Sequence, residues 1–311
     1  LHLSNQPFAE GVDYILGADT HERVREPLQG RYAKVTEPGA FGSFIAKLDI
    51  VVEDGHIKEE SYALLEVDPG LYHEDKEMKR LVATARAPYQ AEINRVIGTT
   101  RTPLFRYYVL ETPMDNLITN ALQWKFGTDF AVSNGFRFCP PLVPEDGHEA
   151  AITAEYLWSM LPVDSIIKSG AVTGAQILDW LEAELEHTFA KDATERAGGW
   201  FVRFKGLGVT VTIGNSLGSR VRDVKIQNQP LHRDQTYTIV GCQREGDPDD
   251  VVCRMKRVAD VRTHGITIHQ VMEEYLSAHS PVAPAVEGRV IATDAAPNLL
   301  SQVEGTNYQF R

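Results

Sequence analysis

Asp19 and His21 stand two residues apart in Gly17-Ala18-Asp19-Thr20-His21, directly after the apolar run Val12-Asp13-Tyr14-Ile15-Leu16. A carboxylate and an imidazole on one turn can reach a common point, and that donor pair suits zinc, manganese or iron. The same residues also fit a turn aspartate with a local hydrogen bond beside a surface histidine, and spacing leaves both readings open. Other titratable groups point less far. His264 and His269 lie five apart around a predicted helix start, which matches neither the i+3 nor the i+4 spacing of a metal pair, so they read as solvated. Glu182, Glu184 and Glu186 read as a solvated helix face, and Gly198-Gly199-Trp200 as a turn before a strand. Cys139, Cys242 and Cys253 contain no Cys-x-x-Cys pair, which argues against a zinc knuckle, and three cysteines make no complete disulfide framework.

The elements that must position these groups fall in three stretches. Up to about residue 57 the chain reads as short strands and turns: Val12 to Leu16 is a buried strand, Ala46 to Val51 alternates with period two, and Glu53-Asp54-Gly55 offers a turn. From about His73 to Ile97 it is charged and helix-prone, with Met78, Leu81, Val82 and Ala85 on one stripe and a break at Pro88. Beyond Gly98 helices and strands mix. Asn116 to Phe126 is helical by spacing, and Phe130-Ala131-Val132 is a strand running into Asn134-Gly135. Thr173-x-x-Gln176 and Thr267-x-x-Gln270 are capping boxes, and Val209 to Ile213, Val221 to Ile226 and Thr236 to Val240 are strand-like. No regular βαβ beat appears, so the expected class is α+β with a mixed sheet.

The 311 residues suffice for one large or two ordinary domains. Hydrophobic content of 43% and charged content of 24% are those of a globular protein. With 31 Lys+Arg against 43 Asp+Glu the net charge is −12, which argues against a partner that is a nucleic acid polymer. No apolar run approaches the roughly 18–20 residues of a membrane span. The chain opens at Leu1 with no charged-then-apolar leader, so either it is processed or something upstream is missing.

The segment Gly11-Val12-Asp13-Tyr14-Ile15-Leu16-Gly17-Ala18-Asp19-Thr20-His21-Glu22 resembles the Gly-Val-Asp-strand-Gly-Gly-His-x-His segment that closes the metallophosphoesterase domain of the 5′-nucleotidase and UDP-sugar hydrolase family. Reading Asp-x-His instead as that fold's first metal motif fails, because the only Gly-Asp-x-x-Asp, starting at Gly246, is far downstream and no Gly-Asn-His exists. Pro38 to Gly42 followed by Leu48-Asp49-Ile50 is similar to the strand pair that comes next in the family. Glu111 to Ala121, Asp129 to Arg137, and Leu161-Pro162 followed by Val172 to Ile177 resemble successive signatures of its C-terminal domain.

The resemblance implies three parts: residues 1–57 as the C-terminal remnant of an α/β metallophosphoesterase sandwich, 58–97 as a helical linker, and 98–311 as a substrate-binding domain. Asp19 and His21 would be metal ligands of a divalent pair (manganese, zinc or iron) belonging to the full-length parent. The remaining ligands and the catalytic histidine would lie upstream of Leu1, so this chain alone is expected to keep no metal pair. Asn134, Gly135, Phe136, Arg137 and Asp247 would bind the substrate: Asn at a ring edge or ribose, Arg at hydroxyls or phosphate, and Asp at ribose hydroxyls. The implied partner is a small molecule, a nucleotide or related ester, and the implied location is periplasmic or extracellular. Two positions depart from the family. Where it stacks a base between two aromatic rings, this chain has Val163 and Cys242. The sulfur-oxidising thiosulfohydrolase branch, which takes no nucleoside, is resembled at least as well, and a non-catalytic binding or interface module is the remaining alternative.

Overall fold

The computed structural model describes residues 1–19, 21–136, 139–192, 195–196 and 200–295. Two compact units divide the chain, one built on Leu1–Pro88 and the other on Tyr89–Ala190 with the described part of Glu195–Gln302.

In the first unit β1 (Tyr14–Leu16) pairs in parallel with β3 (Lys34–Thr36), and β2 (Leu28–Gln29) pairs antiparallel with β3. Hydrogen bonds extend β1 to Gly17, whose N–H donates to Thr36 O at 2.7 Å. The Asp19 turn therefore starts from a fixed strand end. β4 (Phe44–Glu53) and β5 (His56–Glu66) form an antiparallel hairpin. Its corner, Asp54-Gly55, takes left-handed φ values of 51° and 76°, the signature of a tight two-residue hairpin turn. β5 corrects one expectation: the region from residue 58, expected to be helical, begins as strand, because its residues complete the ladder opposite β4. Helix α1 (Lys76–Arg86) is capped by Asp75 and ends before Pro88 as expected; its stripe of Met78, Leu81, Val82 and Ala85 is exposed.

After α2 (Gln90–Ile93) the second unit places β6 (Val96–Thr100) beside β8 (Ala150–Thr153). Its main sheet is mixed. Helix α3 (Pro113–Phe126) leads into β7 (Phe130–Gly135), and α4 (Ala154–Met160) leads into β9 (Ile166–Thr173) and α5 (Gly174–Phe189). β10 (Trp200–Lys205) pairs with β7, and β11 (Leu207–Val211), β12 (Val221–Ile226) and β13 (Gln229–Pro230) belong to a second sheet. β14 (Thr236–Cys242) and β15 (Ala259–Thr267) complete the main sheet in the order β10-β7-β14-β9-β15, in which β7 and β14 are parallel and the other neighbours antiparallel. Helix α6 (Ile268–His279) and β16 (Val290–Ala292), the latter parallel to β11, end the described fold. This is the α+β mixed-sheet architecture expected.

The core explains why these segments chose their states. Met114, Leu117, Ile118, Ala121 and Leu122 of α3 pack with Leu157 of α4, with Val271, Met272 and Leu276 of α6, and with Ala131, Ile167 and Val240 of the sheet. Phe130, Val132 and Ile239, alternating with those sheet residues, are also fully buried, so the central strands are apolar on both faces. At about 0.8 kcal/mol per buried CH₂, this cluster is the main reason the second unit holds together. Both predicted capping boxes are formed, at Thr173–Gln176 on α5 and at Thr267–Gln270 on α6.

Candidate functional site

A cavity of about 420 Å³ opens at the end of the main sheet of the second unit. Three segments reach it from the ends of strands. β7 delivers Ser133, Asn134 and, just past its end, Phe136; the loop from α4 to β9 delivers Leu161, Pro162, Val163 and Ser165; and β14 delivers its last residue, Cys242, followed by Gln243 to Glu245 and Asp247 from the chain beyond it. Cys253, Arg254, Arg106 and Ile268 complete the wall.

Hydrogen bonds pin the α4–β9 loop and the chain after β14. Ser165 O accepts from Ile268 N at 2.9 Å, Asp164 Oδ1 accepts from His269 N at 3.0 Å, and Ile166 O accepts from Gln243 N at 2.8 Å. The start of α6 thereby clamps the loop that carries Val163. His269, expected to be solvated, is buried: its Nε2 lies 2.7 Å from Leu161 O and its ring meets Trp158 edge-on at 4.3 Å. Its spacing from His264 carries no trace of this, because the imidazole bonds a backbone carbonyl on a neighbouring loop rather than a second histidine's metal.

On the far side, Val252 and Met255 exchange N–H to O bonds of 3.0 and 2.9 Å, closing a tight corner at Cys253 and Arg254. Both corner residues are left-handed, with φ of 46° and 68°, although neither is glycine. Arg254 is held by Glu184, whose carboxylate is 2% exposed and lies 2.7 Å from the guanidinium. The α5 glutamates are thus not a solvated face. Glu182 accepts from Gly218 N and Val221 N at 2.8 and 2.7 Å, and Glu186 pairs with Arg220. Alternating charges in sequence concealed partners that arrive from β12 and from the Cys253 corner.

Of the residues expected at a substrate site, Asn134, Phe136 and Asp247 line this one cavity. Gly135 does another job. A Cβ there would sit 2.3 Å from Trp200 O and 2.4 Å from Phe201 O, so glycine admits the backbone of β10 rather than a ligand. Arg137 lies outside the described residues. Val163 and Cys242, the positions that depart from the family's two rings, both line the cavity, leaving Phe136 as its only aromatic lining among the described residues. Burial pushes the Cys242 thiol up to about 12 and raises that of Cys253 as well, so both walls are neutral at physiological pH. Arg106, Ser165, Arg254 and Ile268 carried no sequence signal, since each is a single residue whose place depends on tertiary contacts.

Asp19 and His21 belong to the first unit. They flank Thr20 with left-handed φ values of 72° and 63°; Asp19 is exposed, while His21 is half-buried and edge-on to Phe41 at 5.6 Å. No group of three or more His, Cys, Asp or Glu that could hold a metal ion occurs among the described residues. Two donors do not make the ligand set of an ion pair, so the residues present do not fit a complete metal centre.

Comparison with known proteins agrees with this architecture. Residues 96–243 match the family described as "5'-nucleotidase, C-terminal domain". The chain is 24% identical over 300 residues to the trifunctional nucleotide phosphoesterase protein YfkN of Bacillus subtilis, covering 90% of this chain and 20% of that protein. It is 28% identical over 243 residues to protein 5NUC of Lutzomyia longipalpis, covering 67% and 41%. The chain therefore spans less than half the length of these curated relatives. Among solved structures, sulfate thiohydrolase SoxB of Thermus thermophilus in complex with glycerol shares the fold with a TM-score of 0.78 at 21% identity, over 96% of this chain and 52% of that one. A 5′-nucleotidase precursor from the same organism does so with a TM-score of 0.78 at 20% identity, over 92% and 60%. Residues 96–243 thus match the model of the 5′-nucleotidase C-terminal domain, and nearly the whole chain shares its fold with these two solved structures.

Proposed function

We propose that this chain is the substrate-binding part of a metal-dependent phosphoric ester hydrolase of the 5′-nucleotidase type, acting on a nucleotide or related ester. The observation that carries this reading is the convergence of Asn134 and Phe136 at the end of β7 with Asp247 from the chain after β14 on one cavity. In it the Asn134 amide bonds acceptors on the ligand, Asp247 accepts from its hydroxyls, and Phe136 offers one face for stacking. Asp19 and His21 are read as the share of the metal site that this chain contributes to the parent protein, and export to the periplasm or outside the cell goes with the same reading. No helix among the described residues is long and apolar enough to cross a membrane.

A second reading, hydrolysis of a sulfur-linked or other non-nucleotide ester on the same scaffold, is favoured by Val163 and Cys242 in the cavity wall. Each missing ring forgoes roughly 1–3 kcal/mol of base stacking, which is about one to two decades of affinity per ring. Calorimetry with AMP, adenosine and UDP-glucose separates the readings. A saturable heat with the nucleosides supports the first. Its absence from all three rejects it and leaves the non-nucleotide ester or a non-catalytic binding module.

A further inference from the structure

Arg106 is 1% exposed, yet it forms part of the cavity wall. Its Nη2 donates to Asp115 Oδ1 at 2.7 Å and to Asn134 O at 3.3 Å, and Nη1 donates to Met160 O at 3.0 Å. Asp115 is itself shared. Its Oδ2 accepts from Thr112 Oγ1 at 2.6 Å and from Arg203 Nε at 3.2 Å, while Arg203 also bonds Val109 O at 2.6 Å and Tyr108 O at 2.7 Å. One carboxylate therefore serves two buried guanidiniums. The strain shows on Arg203: burial, opposed by Asp115 and reinforced by the positive charge of Arg106, lowers it to about 10.

Amid this dense bonding one donor is left over. Nε of Arg106 is buried and has no hydrogen-bond partner among the described residues. Leaving a buried charged donor unmet is costly, and folded proteins rarely do so without a function for it. We infer that Arg106 is a ligand-binding residue of the cavity, whose free Nε–H is kept for an anionic oxygen on the ligand. The Asp115–Arg203 mounting and the Asn134 carbonyl fix the guanidinium plane, and because Nε is itself buried, an anion reaches it only by displacing the groups that cover it. The same side chain ties the Asn134 backbone to α3, so the residue that reads the ligand also braces its neighbour. This inference rests on the cavity being the ligand site; it adds that the bound molecule presents an oxyanion to the wall formed by Arg106, whatever it places against Val163 and Phe136.

The test observes the arginine Nε–H directly. Nitrogen-15 spectra of the whole chain, with the Arg106 Nε–H assigned through its bond to Cδ, are recorded while inorganic phosphate, sulfate or glycerol is added. A saturable displacement of that resonance by either anion, with none from glycerol, is the expected result. An Arg106 resonance that stays in place with both anions overturns the inference. Arg106→Lys keeps a cation against Asp115 and removes the Nε donor. If it folds, anion affinity should fall roughly tenfold to a hundredfold, the size of one charge-assisted hydrogen bond; unchanged affinity also overturns the inference. The outcomes separate from those of the parent reading: a nucleoside heat with an unmoved Nε–H sinks only the Arg106 role, and an anion response without nucleoside heat sinks only the nucleotide assignment.

Discussion

Asn134, Asp247 and Val163 share one cavity but should respond differently to substitution. Asn134→Ala withdraws a neutral hydrogen bond of about 0.5–1.5 kcal/mol, and calorimetry should show ligand affinity reduced by roughly twofold to tenfold. Asp247→Ala removes a charged acceptor and should cost more than Asn134→Ala with any ligand that carries vicinal hydroxyls. Val163→Phe should act in the opposite sense. The side chain is 64% exposed at the cavity rim, so a ring can be added there without overpacking. Nucleoside affinity should then rise by roughly 1–3 kcal/mol of stacking; a variant that binds adenosine no better than the parent chain would remove this wall from the base site. Cys242 gives a pH prediction. Its thiol is raised from 9.0 to about 12 mainly by burial, so the folded chain disfavours the thiolate. That contribution to stability is complete below pH 9 and is lost as pH rises through about 12. Alkylation of Cys242 by iodoacetamide, followed by peptide mass spectrometry, should climb across roughly pH 9 to 12 in the native protein but level off near about pH 9 to 10 once it is unfolded.

Among the elements, the helix starts are the most legible. Thr173, Gln176, Thr267 and Gln270 declare themselves through local chemistry that needs no tertiary context, and both boxes form. Thr267→Ala should lower stability by about 1 kcal/mol, and it should also weaken ligand binding, because α6 clamps the Val163 loop through Ile268 and His269. Thr173→Ala, on a helix whose first turn is away from the cavity, should reduce stability alike and leave binding intact; denaturant titration and calorimetry on the pair would test the contrast. What the sequence hides is also physical. His269, Glu184 and Arg106 each satisfy partners from distant segments, and no period or spacing records such pairings. β5 reads as the start of a helical linker because its charged, exposed residues carry little alternation, and its strand state follows from the ladder with β4. Asp115 is the strictest case. It sits between Arg106 and Arg203 with no exposure, and Asp115→Ala should destabilise the second unit by about 3–5 kcal/mol, since two buried cations would lose their shared anion.

At the scale of the whole molecule, the mixed-sheet fold of the second unit is legible in the sequence, and three of the residues singled out there, Asn134, Phe136 and Asp247, line one cavity, whereas chemistry at a metal is not legible. Asp19 and His21 supply two donors, and a hydrolytic ion pair needs its metals held about 3.5–4 Å apart by several more. The purified 311-residue chain should therefore bind no stoichiometric metal pair by elemental analysis and should release no phosphate from AMP with manganese, zinc or iron supplied. Turnover by this chain alone would mean that donors outside the described residues complete the centre.

The corner at Cys253 and Arg254 has an evolutionary corollary. A side chain in the left-handed region costs roughly 1–2 kcal/mol, which glycine escapes. Cys253→Gly should accordingly give a sturdier protein and a poorer receptor, since the relaxed corner gives up its thiol wall and its grip on Arg254. Selection for heat tolerance and selection for ligand capture would then pull this codon in opposite directions.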